Sequence, residues 1–114
     1  MIIQQEMVGS VAVLNLNGTL VLGQGDQMLK DKVRSLIFEG HKQIALDLAG
    51  VSYIDSAGLG ELVSAHATVT RNGGRIKVCN LTKRVSDLLT ITKLLTVFDV
   101  CDSKQQAVKE LSEA

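Results

Sequence analysis

The chain has 114 residues, 46% of them apolar and 21% charged, which allows one domain with one core and is far from disordered composition. Twelve acids balance twelve bases and only three aromatics occur (Phe38, Tyr53, Phe98), so neither a basic field nor a base-stacking platform exists for direct nucleic-acid binding. No apolar run approaches the roughly 20 residues that span a bilayer, and the opening residues lack a signal-peptide pattern, so a cytoplasmic protein without membrane association is expected.

In chain order, "MIIQQEMVGSVAVLNLNG" reads as two strands around the turn Val8-Gly9-Ser10. The second, about residues 11 to 17, is nearly all aliphatic and belongs inside a sheet; Asn17-Gly18 marks its end. "TLVLGQG" is expected to be irregular. A helix follows from about Asp26, with Met28, Leu29, Val33, Leu36 and Ile37 on one side and Gly40 as its stop. "KQIALDLAGVSYID" predicts a third strand that alternates through Ile44, Leu46 and Leu48, then turns back toward Val51, Tyr53 and Ile54. A second helix begins at Asp55-Ser56, with an inner stripe of Leu59, Leu62, Val63, His66, Ala67 and Thr70, and ends at Asn72-Gly73-Gly74. "RIKVCN" alternates as a fourth strand. Thr82 is placed to cap a third helix through Val85, Leu88, Leu89 and Thr92. "TVFDV" reads as a short last strand, and Ser103 to Gln106 is a capping box that opens a fourth helix.

The order ββαβαβαβα over residues 1–114 predicts a single α/β domain, with a mostly parallel sheet of about five strands and four helices. Function in such sheets gathers at the carboxyl ends of the strands. The glycine segments 18 to 25 and 55 to 60 both belong to that end, and they should meet if their strands are neighbours. Cys79 and Cys101 have neither a C-x-x-C nor a zinc-like histidine spacing, and read as reduced core thiols.

Four chemistries fit the stretch "SYIDSAGLGE" at residues 52 to 61: nucleophile, phosphate cradle, helix cap or target of modification. A nucleophilic serine needs a base within reach. His66 lies ten residues further along the same helix, about 15 Å away, and His41 starts a strand at the other end of the sheet. "IDSAG" also fails the G-x-S-x-G elbow. "GTLVLGQGDQ" lacks the Lys-Ser or Lys-Thr and the glycine spacing of a phosphate loop, and no acidic pair follows the first strand as a receiver domain would require. No cofactor or metal is indicated. Two readings remain open: Asp55 or Ser56 caps the helix, or Ser56 is itself phosphorylated, at a point where free backbone N–H groups can solvate a phosphate.

"DLAGVSYIDSAGLGEL" resembles the signature of STAS domains, specifically the bacterial anti-sigma factor antagonists. "VLNLNGTL" and the closing "VCNLTKRVSDLLTITKLLTVFDVCDSKQQAVKEL" are similar to the same family, so the resemblance covers the whole chain. It implies a partner-switching regulator without catalysis of its own, which binds an anti-sigma factor serine kinase and releases a sigma factor. By the same resemblance Ser56 is the phosphoacceptor, and a metal-dependent serine phosphatase removes the mark. Asp55, Ala57, Gly58, Leu59 and Gly60 are implied as partner-binding residues, with Thr19, Val21 and Gly23 on the neighbouring loop. Val21 stands where family members commonly carry an acid, and Asp26 is the residue placed to compensate. The alternative within the same fold is a constitutive STAS module of a lipid-transport or stress-sensing assembly.

Overall fold

The structure is a computed structural model that describes residues 1–113. Strands β1 (Ile2–Val8) and β2 (Val11–Leu20) form an antiparallel hairpin closed by the pair Val8 and Val11. β3 (Gln43–Ile54), β4 (Arg75–Cys79) and β5 (Asp99–Cys101) then add in parallel, and the sheet order is β1-β2-β3-β4-β5. Each parallel step moves one strand in the same direction, through helices α1 (Gly25–Phe38), α2 (Ser56–Arg71) and α3 (Lys83–Ile91). Right-handed crossovers that all step one way must pass over one face. Leu29, Leu36, Leu62, Val69 and Leu89 from these helices therefore share one core with Leu14, Leu46 and Val78 of the sheet. α4 (Lys104–Ser112) alone covers the other face, where Ala107 and Leu111 meet Val11, Val13, Ala45, Cys79 and Cys101. Residues 11 to 14 and 44 to 48 are buried throughout because both faces of β2 and β3 are covered.

Ion pairs fix α4 on its face. Lys77 on β4 lies 3.3 Å from Glu110 and 3.7 Å from Asp99, and Lys104 lies 3.6 Å from Glu6 and 3.8 Å from Asp47. The Lys77 ammonium holds the Glu110 carboxyl below the ordinary carboxylate range. Cys79 and Cys101 are free thiols buried beneath α4; burial, with Asp47 nearby, pushes the Cys79 thiol up to about 12. A thiol with so high a pKa carries almost no thiolate near neutrality and is inert.

Three expected boundaries and one helix face are corrected. β2 does not stop at Asn17-Gly18 but continues to Leu20, still paired with β3 through register shifts between Asn15 and Asn17 and between Gly18 and Thr19. Gly18 takes φ +114°, a conformation open to glycine, and this lets the irregular ladder carry on. β3 likewise continues unbroken for 12 residues without the expected turn, and its two register shifts place an extra residue in β3 each time while β2 extends beside it as far as Leu20 opposite Ile54. The inner stripe of α2 is Gly58, Leu59, Leu62, Ala65 and Val69, while Val63, His66 and Ala67 are half-buried and Thr70 is exposed. The last strand is Asp99–Cys101, preceded by a single 3-10 turn at Leu95–Val97, so only Asp99 and Val100 of "TVFDV" lie in it. Phe98 is buried and stands edge-on to His66, with ring centroids 5.8 Å apart.

Candidate functional site

The carboxyl ends of β2 and β3 lie side by side, with Thr19 opposite Tyr53 and Leu20 opposite Ile54. β2 runs into a glycine-containing loop and then α1, while β3 runs through Asp55 alone into α2, whose first turns hold Gly58 and Gly60. The glycine segments 18 to 25 and 55 to 60 therefore meet as expected. Asp55 ties them. Its Oδ1 accepts from the Gly58 amide at 2.8 Å, which makes it the N-cap of α2. Its Oδ2 accepts from the Leu22 amide at 3.0 Å, and its own amide donates to the Leu20 carbonyl at 3.3 Å. One carboxylate thus caps a helix and anchors the neighbouring loop.

These amides favour the ionised form and hold the Asp55 carboxyl below its ordinary value of 3.8, Gly58 contributing most and Leu22 next. A depressed folded pKa means that the anchor contributes fully above about pH 3.8 and is lost as pH falls through the lower folded value. Asp55→Ala is therefore expected to speed hydrogen exchange at the Leu22 and Gly58 amides near neutral pH, where both bonds exist. Asp55→Asn, with one carbonyl oxygen in place of two, should protect only one of the two amides. Unchanged exchange at both amides in Asp55→Ala would contradict the anchoring role.

Because Asp55 is the cap, Ser56 is not. Ser56 is the first residue of α2, exposed, and its hydroxyl has no hydrogen-bond partner among the described residues. The first turn of a helix carries amides without intrahelical acceptors, and Gly58 N–H is already satisfied by Asp55. The unsatisfied amides beside Ser56 and the positive end of the helix favour an anion at this position.

The remaining expected site residues divide into two sets. Thr19, Gly23 and Gly60 are exposed, and Val21 and Ala57 are half-buried. Gly58 and Leu59 face inward and shape the surface from beneath it. A Cβ on Gly58 would meet the Leu20 carbonyl oxygen at 2.0 Å, so the end of β2 rests directly on the first turn of α2. Asp26 serves its own loop: its Oδ1 accepts from the Gly23 and Gln27 amides at 2.9 and 2.8 Å. The loop tip is Leu22, 73% exposed, and Val21 lies behind it.

A second part of the surface was not legible in the sequence. Beside the end of β3, a shallow groove of about 540 Å³ is lined by Tyr53, Ile54, Arg84, Leu88 and Ile91, with the Lys83–Asp87 ion pair at its rim. The Arg84 guanidinium lies 5.4 Å from the centre of the Tyr53 ring, and Ile91 is 77% exposed. Tyr53 reads in the sequence as one more apolar strand residue. The only signal for exposure is its strand period, which sets it opposite in phase to buried Ile54. Among the described residues, no three of His, Cys, Asp and Glu converge as a metal site requires. No described helix is long and apolar enough to cross a membrane.

The family model of the STAS domain matches residues 3–107. The chain belongs to the STAS family. This STAS protein is 33% identical over 82 residues to the anti-sigma-B factor antagonist of Bacillus subtilis, covering 72% of this chain and 74% of that one. It is 27% identical over 114 residues to the anti-sigma F factor antagonist of Paenibacillus polymyxa, covering 96% and 93%. The solved structure of the Bacillus cell fate determinant SpoIIAA in its phosphorylated form superposes with a TM-score of 0.74 at 21% identity, over 96% of this chain and 98% of that one. At that identity the superposition speaks for the fold, and the STAS-like α/β arrangement of five strands and four helices expected from the sequence is borne out.

Proposed function

We propose that this STAS protein is an anti-sigma factor antagonist that binds an anti-sigma factor serine kinase and is switched off by phosphorylation of Ser56. A metal-dependent serine phosphatase then restores the binding form. The observation that carries this reading is the division of labour between two adjacent residues: Asp55 holds the helix cap and the loop, which leaves the exposed Ser56 hydroxyl without a structural task. A phosphate there adds about 1.5 to 2 negative charges beside an aspartate whose own charge is already held by two amides. The fold survives the mark while the surface gains negative charge. The relatives named as anti-sigma factor antagonists support the same class of activity.

The contact surface in this proposal combines the Leu22 tip, Gly23 and Thr19 with Ser56, Ala57 and Gly60, and continues into the groove beside Tyr53 and Ile91. Within it, Tyr53 and the Arg84 guanidinium over its ring are the residue types that most often dominate binding energy at an interface. Incubating the protein with an anti-sigma factor kinase of its own organism and ATP should place phosphate on Ser56, read by mass spectrometry of the peptide that contains residues 52 to 61. Phosphate on other hydroxyls only, or no complex with any such kinase, contradicts the proposal and leaves the constitutive module as the better account.

A further inference from the structure

The two edges of the sheet differ in how they meet solvent. β5 has three residues and acids at Asp99 and Asp102, so a strand laid against it finds little ladder and two charges. β1 has seven residues, no proline, an unbroken register with β2 and a single charge. That charge, Glu6, is engaged within the chain: Asn15 Nδ2 donates to it at 3.0 Å and Lys104 lies 3.6 Å away. Apart from this inward-held charge, β1 has none of the proline, bulge, lysine or short length that commonly protects an edge.

The hairpin decides which backbone groups point outward. Val8 and Val11 close a two-residue turn and so form a hydrogen-bonded pair, and such pairs recur at every second position. Residues 2, 4, 6 and 8 thus direct their N–H and C=O groups to β2, while Ile3, Gln5 and Met7 direct theirs to the open edge. Apolar surface accompanies that edge: Ile2 is 62% exposed, Met7 43% and Val8 39%.

The segment "IIQQEMV" is nearly symmetric about Gln5. With an identical strand antiparallel to it and a two-fold axis at Gln5, Ile3 faces Met7, Ile2 faces Val8, and the Glu6 carboxylate faces the Gln4 amide. Every apolar residue meets an apolar one, and the charge meets a hydrogen-bond donor. Slipping the register by two residues is worse in either direction. One slip sets Glu6 opposite Glu6, and the other sets Ile2 opposite Glu6. From this self-complementarity we infer that β1 is a homodimer seam, which joins two five-stranded sheets of two copies into one continuous sheet. The seam involves none of the residues assigned to the kinase surface and stands independently of the proposed function.

Sedimentation velocity from about 10 μM to about 1 mM should show a concentration-dependent monomer–dimer equilibrium. Gln5→Pro removes an outward N–H without touching the ladder to β2, and is expected to weaken the dimer by about tenfold or more while the thermal midpoint of the monomer is kept. Should Gln5→Pro fail to fold, Met7→Lys tests the same seam with a charge on the edge. Gln5→Cys brings two thiols together at the axis and should give a disulfide-linked dimer with oxidised glutathione, whereas Glu39→Cys at the exposed C-cap of α1 should not. A protein that stays monomeric at all these concentrations, or a dimer that withstands both Gln5→Pro and Met7→Lys, overturns the inference.

Discussion

Gly58→Ala is expected to destabilise the protein by about 2–4 kcal/mol, at the upper end of overpacking substitutions. The added methyl would meet backbone, the Leu20 carbonyl oxygen at 2.0 Å and its carbon at 2.8 Å, and not a flexible side chain that can swing away. Relief requires α2 to move off the end of β2, and that breaks the two bonds by which Asp55 joins them, Leu22 N–H to its Oδ2 and its own N–H to the Leu20 carbonyl. Gly60, two residues further along the same helix, supplies the control. A Cβ there meets nothing within 4 Å, so Gly60→Ala should be neutral or stabilise by up to about 1 kcal/mol through helix propensity. Urea unfolding of the two variants separates close approach from propensity. Equal midpoints for the two would remove the packing explanation for Gly58.

Ser56→Asp is expected to lower affinity for the anti-sigma factor kinase by about 2–3 kcal/mol, roughly 30- to 150-fold, while Ser56→Ala binds within a few-fold of the unmodified protein. The size of the effect follows from position. Ser56 lies at the amino end of α2, next to the Leu22 tip that Asp55 holds in place, so a charge introduced there must be desolvated whenever the partner closes over the tip. Neither substitution removes a hydrogen bond within the described structure, and each should change folding stability by no more than about 0.5 kcal/mol. Affinity and stability are thereby separable at this residue. That separation is what a switch requires and what a cap residue would lack: had Ser56 been the N-cap, Ser56→Ala would cost about 1 kcal/mol of stability.

Element order and the meeting of the two glycine loops were legible because strand and helix alternate with clear periods and the crossovers have a fixed hand. Asp55 and Ser56 could be placed at a helix start but not told apart as cap and target. The choice depends on the Leu22 amide, which lies 33 residues earlier in the chain and approaches only in the fold. The phase of α2 was misread for a related reason. Apolar residues run most of the way round this helix, and its rotation is set by Gly58 against Leu20, a contact invisible to any periodicity. The sequence predicts a turn in β3 after Leu48, and Gly50 lies where that turn would fall. In the fold it passes Asn17 closely, and the ladder continues to Ile54. The groove beside Tyr53 combines residues from β3 and α3, two elements separated by a whole β–α unit, and no local signal unites them.

Titration of the anti-sigma factor kinase with this protein in three states tests the central claim most directly: unmodified, phosphorylated at Ser56, and phosphorylated then treated with the metal-dependent phosphatase. The first should bind tightly, the second should lose about 2 kcal/mol or more, and the third should recover the first value. Equal affinity in all three states would contradict it.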